Sequence, residues 1–209
     1  MQVLTNYQMR YVDQMAMETY HIPGIVLMEH ASFGIYTQMK SWLKKSDRIQ
    51  IVCGVGNNGG DGLVLARLLS IDGFDVCYSL VEHKVVTEDA LSNLQMVEAL
   101  GIPCYEDVQS VDVIVDAIFG TGLQRDVEGI AKDWIEKMNA NTAKVVSIDI
   151  PSGICSNTGE ILGVAIKADI TYTIARGKVG LYVYPGSEYV GDLTYIDLHV
   201  PNRLFEEKK

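Results

Sequence analysis

The chain's architecture is indicated by one segment, Gln50-Ile51-Val52-Cys53-Gly54-Val55-Gly56-Asn57-Asn58-Gly59-Gly60-Asp61-Gly62. It begins with an apolar run typical of a buried strand and passes through a glycine-rich loop into residues 62–71, whose apolar spacing predicts a helix. Residues 75–81 predict a second strand, which completes a β-α-β unit. Such units build parallel sheets that are covered by helices on both faces.

The same alternation continues along the chain. Further strands are predicted at residues 111–115, 145–148, 170–174 and 193–198, and further helices at residues 88–100 and 130–138. Residues 5–20 and 25–43 carry apolar side chains at helical spacing, which predicts two amphipathic helices before the sheet. The sequence has neither a low-complexity linker nor a repeat, and only residues 206–209 have the composition of a frayed chain end. We therefore expect a single domain over residues 1–209, of class α/β: a three-layer α/β/α Rossmann-like sandwich with a mostly parallel central sheet and two N-terminal helices.

Composition narrows the classes of function. A formal net charge of -10 disfavours nucleic acid as a partner, because the protein's field repels a phosphate backbone. Residues 1–10 lack the basic and apolar runs of a signal peptide, and no apolar run is long enough to span a bilayer. The four cysteines are widely spaced and indicate reduced structural thiols. We expect a cytoplasmic protein without membrane association.

The glycine-rich loop has the composition of a ligand-binding loop. Glycines let the backbone approach a ligand closely, and amides at the start of a helix bind phosphate. The side chains of Asn57 and Asn58 add hydrogen-bond donors and acceptors beside that backbone. A purely structural interpretation would make Asp61 the cap of the helix, but two asparagines and five glycines exceed what a cap requires.

The opening of this loop also matches G-x-G-x-x-G, the pattern of dinucleotide-binding dehydrogenases. Those enzymes place a carboxylate for the ribose at the end of the second strand. Glu82 is the nearest acidic residue, and it is followed by His83 and Lys84 rather than by a clear signature. An NAD(P)-dependent oxidoreductase is therefore the alternative function.

Two further loops follow predicted strands. Asp116 comes directly after the strand at 111–115, and Gly120 and Gly122 follow it. Asp149 comes directly after the strand at 145–148, and Ser152 lies three residues later. Since the carboxyl ends of parallel strands share one edge of the sheet, we expect all three loops to converge there. A carboxylate at that edge can exchange a proton with a substrate, or form an oxygen cage for a cation together with a hydroxyl group.

Together these loops resemble the NAD(P)HX epimerases, the YjeF N-terminal domain family. The motifs that carry the resemblance are residues 56–62 (Gly-Asn-Asn-Gly-Gly-Asp-Gly), 116–122 (Asp-Ala-Ile-Phe-Gly-Thr-Gly) and 149–153 (Asp-Ile-Pro-Ser-Gly). Similarity also extends to residues 9–13, 22–29, 178–181 and 185–186, so that it covers nearly the whole chain.

The resemblance implies an isomerase of nicotinamide nucleotide repair, which interconverts the R and S hydrates of NADH and NADPH so that a separate NAD(P)HX dehydratase can restore the cofactor. It also implies a homodimer. Asp149 would be the catalytic residue and would contact the substrate, and one potassium ion per subunit would be bound by Asn58, Asp116 and Ser152. The other substrate contacts implied are Asn57, Asn58, Gly59, Gly60 and Asp61 in the first loop, and Gly120, Thr121, Gly122, Leu123, Gln124, Arg125 and Asp126 in the second.

The chain departs from the family pattern at two places. His30 stands where relatives often have asparagine, and Gln124 stands where some relatives have a basic residue proposed for catalysis, with Arg125 one position later. A non-catalytic binding module on the same fold stays a third alternative, since some relatives serve RNA-associated assemblies.

Overall fold

The computed structural model describes residues 2–206, so the predicted fraying of the tail lies mostly outside the described residues. In chain order the elements are β1 (Val3–Leu4), α1 (Asn6–Glu18), α2 (Gly24–Lys40), β2 (Arg48–Cys53), α3 (Asn57–Ile71), β3 (Asp75–Leu80), α4 (Glu88–Ala99), β4 (Val113–Ala117), α5 (Gly129–Ala140), β5 (Lys144–Ile148), β6 (Ile170–Ile174), β7 (Gly177–Lys178) and β8 (Asp192–Ile196). Short 3-10 helices lie between β7 and β8, at Val179–Leu181 and Gly186–Glu188, and after β8, at Asn202–Phe205.

The central sheet has six strands in the order β3-β2-β4-β5-β6-β8. Every neighbouring pair in this sheet is parallel, which confirms the predicted fold class. The order changes direction between β2 and β4, because β3 lies on one side of β2 and the later strands lie on the other. In open α/β sheets such a switch point is where ligands bind, at the carboxyl ends of the strands.

Alternation along the strands produces two apolar layers. In β2, Ile51 and Cys53 pack on the face covered by α2, α3 and α4, whereas Val52 packs on the face covered by α5. Val113 and Val115 of β4 likewise face one layer, and Ile114 faces the other. Successive side chains of a strand point to opposite faces, so a run that is apolar throughout requires helices on both sides.

Two predicted boundaries were wrong in ways that matter for the site. The strand predicted at 111–115 lies at Val113–Ala117, so Asp116 belongs to the strand itself rather than to the following loop. The helix predicted from residue 62 begins at Asn57, so residues 57–62 of the glycine-rich loop form its first turns. Glycine is a poor helix former, which is why the composition predicted a loop here.

Helix α1 is held beside the sheet by contacts at its start and along its buried face. The short strand β1 pairs in parallel with β7, which places Leu4 opposite Lys178. Thr5 then caps α1 through a capping box with Gln8. Met9, Val12 and Ala16 form the buried face of the helix. This arrangement places the side chains next to the buried face of α1 over the carboxyl ends of the central strands.

Candidate functional site

A cavity of about 500 Å³ lies between helices α1 and α2 and the loops that follow β2, β4 and β5. The three loops converge as expected, because β2, β4 and β5 are consecutive in the sheet. Predicted site residues that line the cavity are Asn57, Asn58, Asp61, Gly120, Thr121, Gly122, Leu123 and Asp149. Arg10 and Asp13 of α1 and Thr87 before α4 line it as well.

Within residues 2–206, no helix combines the length and apolar character needed to cross a membrane.

The start of helix α3 contributes to the cavity the amide side chains of Asn57 and Asn58 and backbone N–H groups that no side chain caps. Gly56 precedes the helix and makes no side-chain cap, so the amides of the first turn lack a capping acceptor. Asp61 is the fifth residue of the helix and is therefore not its cap. Two buried polar atoms near the cavity, Nδ2 of Asn58 and Oγ1 of Thr87, have no hydrogen-bond partner within the described chain. A bound ligand would satisfy such groups.

Gly59 and Gly60 belong to the same turn but are not among the residues that line the cavity. A Cβ atom on Gly59 would lie 2.0 Å from the carbonyl oxygen of Gly54, and one on Gly60 would lie 2.6 Å from Cε of Met28. These two glycines therefore permit close packing of the helix start against the preceding loop and α2. Their predicted contact with substrate remains a prediction.

The loop after β4 divides into two parts. Residues 120–123 line the cavity, whereas Gln124, Arg125 and Asp126 are exposed and do not line it. Ser156 donates a hydrogen bond to the carbonyl of Thr121 at 3.2 Å and so fixes the first part. Nη2 of Arg10 comes within 3.7 Å of the position that a Cβ on Gly122 would take. Arg10 of α1 therefore brings a basic side chain to the loop in which position 124 is glutamine instead of the basic residue of some relatives.

Asp116 lies beneath the cavity and is completely buried. Its carboxylate accepts hydrogen bonds from Oγ of Ser147 at 2.8 Å, from the backbone amide of Ser152 at 2.9 Å, from Oγ of Ser152, and from the amide of Ile118 at 3.2 Å. Burial raises the pKa of Asp116, although these hydrogen bonds oppose the shift. Among the described residues it has no ion-pair partner.

The oxygen atoms of this cluster are of the kind that hard cations prefer as ligands. Ser152 Oγ lies 3.3 Å from the carbonyl oxygen of Phe119 and also contacts Asp116, so hydroxyl, carbonyl and carboxylate oxygens are close together. Hard cations prefer such oxygens, and a buried carboxylate without a counterion is costly. The side chain of Asn58 lies against Gly120, and its Nδ2 has no hydrogen-bond partner within the described chain. In the other amide orientation an oxygen would take the place of this Nδ2, because amide orientation is assigned from hydrogen bonds.

Asp149 forms the most strongly constrained contact in the cavity. Its backbone adopts φ +69°, a left-handed conformation that is uncommon outside glycine and that turns the chain sharply after β5. The carboxylate accepts a hydrogen bond from the amide of Ile174 at 3.2 Å and forms an ion pair with Lys178. Lys178 is 1% exposed and also donates to Oγ1 of Thr173 at 3.0 Å and to the carbonyl of Ile174 at 2.7 Å.

Lys178 was not among the predicted site residues. Its position in the apolar segment around residues 170–181 was the available signal, because a lysine is almost never fully buried unless it is paired. Nothing in the linear sequence identifies Asp149, 29 residues earlier, as the partner. The pairing depends on the adjacency of β5 and β6 in the sheet.

Other candidate residues lie outside the cavity lining. Glu82, the possible ribose carboxylate of a dehydrogenase, is exposed and pairs with Lys84 at 3.4 Å. His30 has its Nδ1 3.4 Å from the carbonyl of Leu198. Within the part of the chain that the structure describes, no group of three or more His, Cys, Asp or Glu side chains is arranged to hold a metal ion. None of the four cysteines forms a disulfide, and Cys53 and Cys77 are buried.

Comparison with known proteins agrees with this geometry. The chain is 38% identical to an NAD(P)H-hydrate epimerase of Limosilactobacillus fermentum over 94% of its own length and 96% of the relative's. It is 40% identical to an NAD(P)H-hydrate epimerase of Levilactobacillus brevis, with 86% of this chain and 85% of the relative covered. A bifunctional NAD(P)H-hydrate repair enzyme of Thermofilum pendens is 36% identical, but the match covers 42% of that longer protein.

A solved structure and a family model complete the comparison. The crystal structure of yeast ynu0 superposes with a TM-score of 0.82 at 21% identity, covering 100% of this chain and 95% of that one, and so shares the fold. The family model described as YjeF-related protein N-terminus matches residues 24–180, which include all three loops and Lys178. The chain therefore belongs to the family of YjeF-related protein N-terminal domains.

Proposed function

We propose that this protein is an NAD(P)H-hydrate epimerase, which interconverts the R and S forms of NADHX and NADPHX in nicotinamide nucleotide repair. Relatives that are covered almost end to end carry this activity in their names. The observation that carries the proposal is the position of Asp149, a carboxylate held by Lys178 and the amide of Ile174 where the three family loops enclose a cavity.

The site's chemistry suits a reaction that needs only proton transfer and orientation. The lone pair of the ring nitrogen expels the hydroxyl group from carbon six, which leaves as water after gaining a proton, and the ring carbon becomes a planar iminium. Water then adds to either face and loses a proton. Asp149 is the proton shuttle in this scheme, because its carboxylate lines the cavity and general acid–base catalysis requires direct contact with the reacting oxygen.

The remaining predicted contacts divide between phosphate and ring. The uncapped amides at the start of α3 suit a phosphate group, with Asn57 and Asn58 beside them. The part of the second loop that lines the cavity, residues 120–123, would extend along the dinucleotide, and Arg10 supplies positive charge nearby. Since these contacts would hold the phosphates and the rest of the dinucleotide, the region of the cavity around Asp149 is left for the nicotinamide ring.

The proposal includes one potassium ion per subunit, held by Asn58, Asp116 and Ser152. When bound, the ion would supply positive charge that offsets the buried carboxylate and the phosphates of the substrate. The support is the oxygen-rich cluster around fully buried Asp116 and the unpartnered amide nitrogen of Asn58 in the cavity lining.

Association and location are also part of the proposal. Exposed apolar side chains on the first two helices, Tyr7, Met17, Val26 and Phe33, support a homodimer through this surface. A separate NAD(P)HX dehydratase is the proposed metabolic partner, and a relative named as a bifunctional NAD(P)H-hydrate repair enzyme supports a second repair activity acting with this one. Reduced cysteines support the cytoplasm as the compartment.

The decisive experiment measures rescue of the R epimer. Purified protein is mixed with the epimers of NADHX and a dehydratase specific for the S form, and recovery of NADH absorbance is followed. We expect the wild type to accelerate recovery of the R fraction and Asp149→Asn to lose about 100-fold or more of that rate. Asp133→Asn, at an exposed position on α5, is the control and should match the wild type.

Two outcomes would contradict the proposal. A folded wild type that leaves recovery at the spontaneous rate, with potassium present, excludes the epimerase and leaves a binding module. Absorbance changes with intact NAD(P) and a second substrate would instead favour the oxidoreductase.

A further inference from the structure

Helix α1 contributes a carboxyl group of its own to the cavity. Asp13 lies in the middle of helix α1 and lines the cavity opposite the loops of the sheet. Its neighbours on the inner face of the helix, Met9, Val12 and Ala16, are buried against α2 and the C-terminal segment, so that the helix cannot rotate freely. The pairing of β1 with β7 further fixes the start of this helix beside Lys178.

The two carboxyl groups have different electrostatic surroundings. Asp149 is paired with an ammonium group, which compensates its negative charge. Asp13 has no ion-pair partner among the described residues, and burial together with the charge of Asp149 raises its pKa from 3.8 to about 6, against a smaller opposing effect of Lys178. A carboxyl group with a raised pKa is suited to act as the acid next to a carboxylate that an ammonium group compensates.

We infer that Asp13 is a second catalytic acid–base residue of the epimerase, which transfers protons on the face of the nicotinamide ring turned toward helix α1 while Asp149 serves the face turned toward the sheet. The inference rests on the proposed function. An epimerase must release and add water on both faces of one carbon, and a second acid–base group on a different element gives each face its own proton donor and acceptor.

The proton balance closes over the two groups. In one direction Asp13 donates its proton to the departing hydroxyl, the C–O bond breaks, and water and the iminium form. Water then adds from the other face, forms the new C–O bond and gives its proton to the carboxylate of Asp149. The active state therefore holds one proton on the pair, and exchange with solvent returns it from Asp149 to Asp13 before the next turnover in the same direction.

Other charged groups also face Asp13 across the cavity. Asp61 is buried in α3, and burial together with the charges of Asp149 and Asp13 raises its pKa well above the usual value. Lys178 contributes a positive charge next to Asp149, and Arg10 lies one helical turn from Asp13 on the same helix. Besides Asp61 and the ion pair of Asp149 with Lys178, the other charged side chains that line the cavity with Asp13 are therefore Arg10 and Asp89.

The test compares Asp13→Asn, Asp13→Glu and the control Glu18→Gln, which lies on the exposed side of the same helix. Rates of R-epimer conversion are measured from pH 5 to pH 9, with kcat and KM separated and folding checked by thermal unfolding. We expect Asp13→Asn to lower kcat about 100-fold or more, to leave KM within about threefold, and to lose the decline of wild-type kcat/KM above about pH 6. Asp13→Glu should restore part of kcat, and Glu18→Gln should match the wild type.

The outcomes separate this inference from the function on which it rests. Wild-type activity with an Asp13→Asn variant that keeps its kcat and its pH profile, or that changes only KM, overturns the role of Asp13 and leaves the epimerase intact. An inactive wild type overturns the proposed function itself. If Asp13→Asn fails to fold, Asp13→Glu decides: a displaced alkaline limb supports the inference, and an unchanged limb with unchanged kcat refutes it.

Discussion

At the scale of single residues, the ion pair between Asp149 and Lys178 contributes both to stability and to chemistry. Lys178 is 1% exposed, and its three hydrogen-bond acceptors all come from Asp149 and from Thr173 and Ile174 at the end of β6. A buried ammonium group that is fully paired is tolerated, whereas a buried charge that loses its partner is not. Lys178 is therefore a positioning residue, which holds the carboxylate of Asp149 in place and compensates its charge.

Replacing Lys178 by methionine should be strongly destabilising. Lys178→Met keeps most of the side-chain volume but leaves Asp149 without its counterion, so we expect a loss of about 3–5 kcal/mol in the free energy of unfolding. Urea unfolding measures this loss, and the double variant Lys178→Met with Asp149→Asn should recover part of it. Lys132→Met, which breaks an exposed pair with Glu136, is the control and should change stability far less. A Lys178→Met variant as stable as the control would show that the pair is not buried as described.

At the scale of elements, the site exists because three adjacent strands end together. The loop after β2 leads into the start of α3, the last but one residue of β4 is the buried Asp116, and the turn after β5 provides Ser152. Hydrogen bonds between Asp116 and Ser152 already join two of these strand ends. A cation at this point would join the third through Asn58.

Potassium should therefore stabilise the protein. With a dissociation constant of about 10 mM, 100 mM potassium would add about 1.4 kcal/mol, since ligand that binds only the folded state shifts the unfolding equilibrium. Thermal unfolding in potassium chloride is compared with unfolding in tetramethylammonium chloride at equal ionic strength. Ser152→Ala should abolish the increment, whereas Ser92→Ala on α4 should keep it. Equal unfolding temperatures of the wild type in both salts would remove potassium from the proposal.

At the scale of the whole molecule, acid groups enclosed by the cavity make stability depend on pH in an unusual direction. The pKa of Asp13 rises from 3.8 to about 6 on folding. Between these values the folded protein keeps a proton that the unfolded chain has released. Stability contributed by this group is therefore highest at low pH, falls as pH rises through about 4 to 6, and is constant above that window.

The difference between the wild type and Asp13→Asn isolates this contribution. Relative to the variant, the wild type should lose about 2 kcal/mol of unfolding free energy between pH 4.5 and pH 7.5, from the shift of about two pH units. Chemical denaturation at several pH values measures it. Asp72→Asn is a control of opposite sign, because hydrogen bonds with Lys40 lower the pKa of Asp72, and the stability it contributes is lost as pH falls. A difference for Asp13 that is independent of pH would contradict the raised pKa.

Fold class and the location of the site were predictable because both depend on local patterns. Apolar runs alternating with helical spacing imply a covered parallel sheet, and loops rich in glycine and aspartate after such runs imply a ligand edge. Boundaries were less predictable where composition and structure conflict. Asn57 to Gly62 has the composition of a loop but forms helical turns, because packing against Gly54 and Met28 outweighs the low helix propensity of glycine.

The sequence by itself determined the α/β architecture, the three motif loops and the family to which they belong, since these follow from periodicity and from short runs of residues. Only the tertiary structure decided which groups share the cavity. It brought Lys178 to Asp149 through the adjacency of β5 and β6, and Asp13 to both of them through the pairing of β1 with β7. Contacts between residues so distant along the chain depend on strand order and helix packing, which no local pattern encodes.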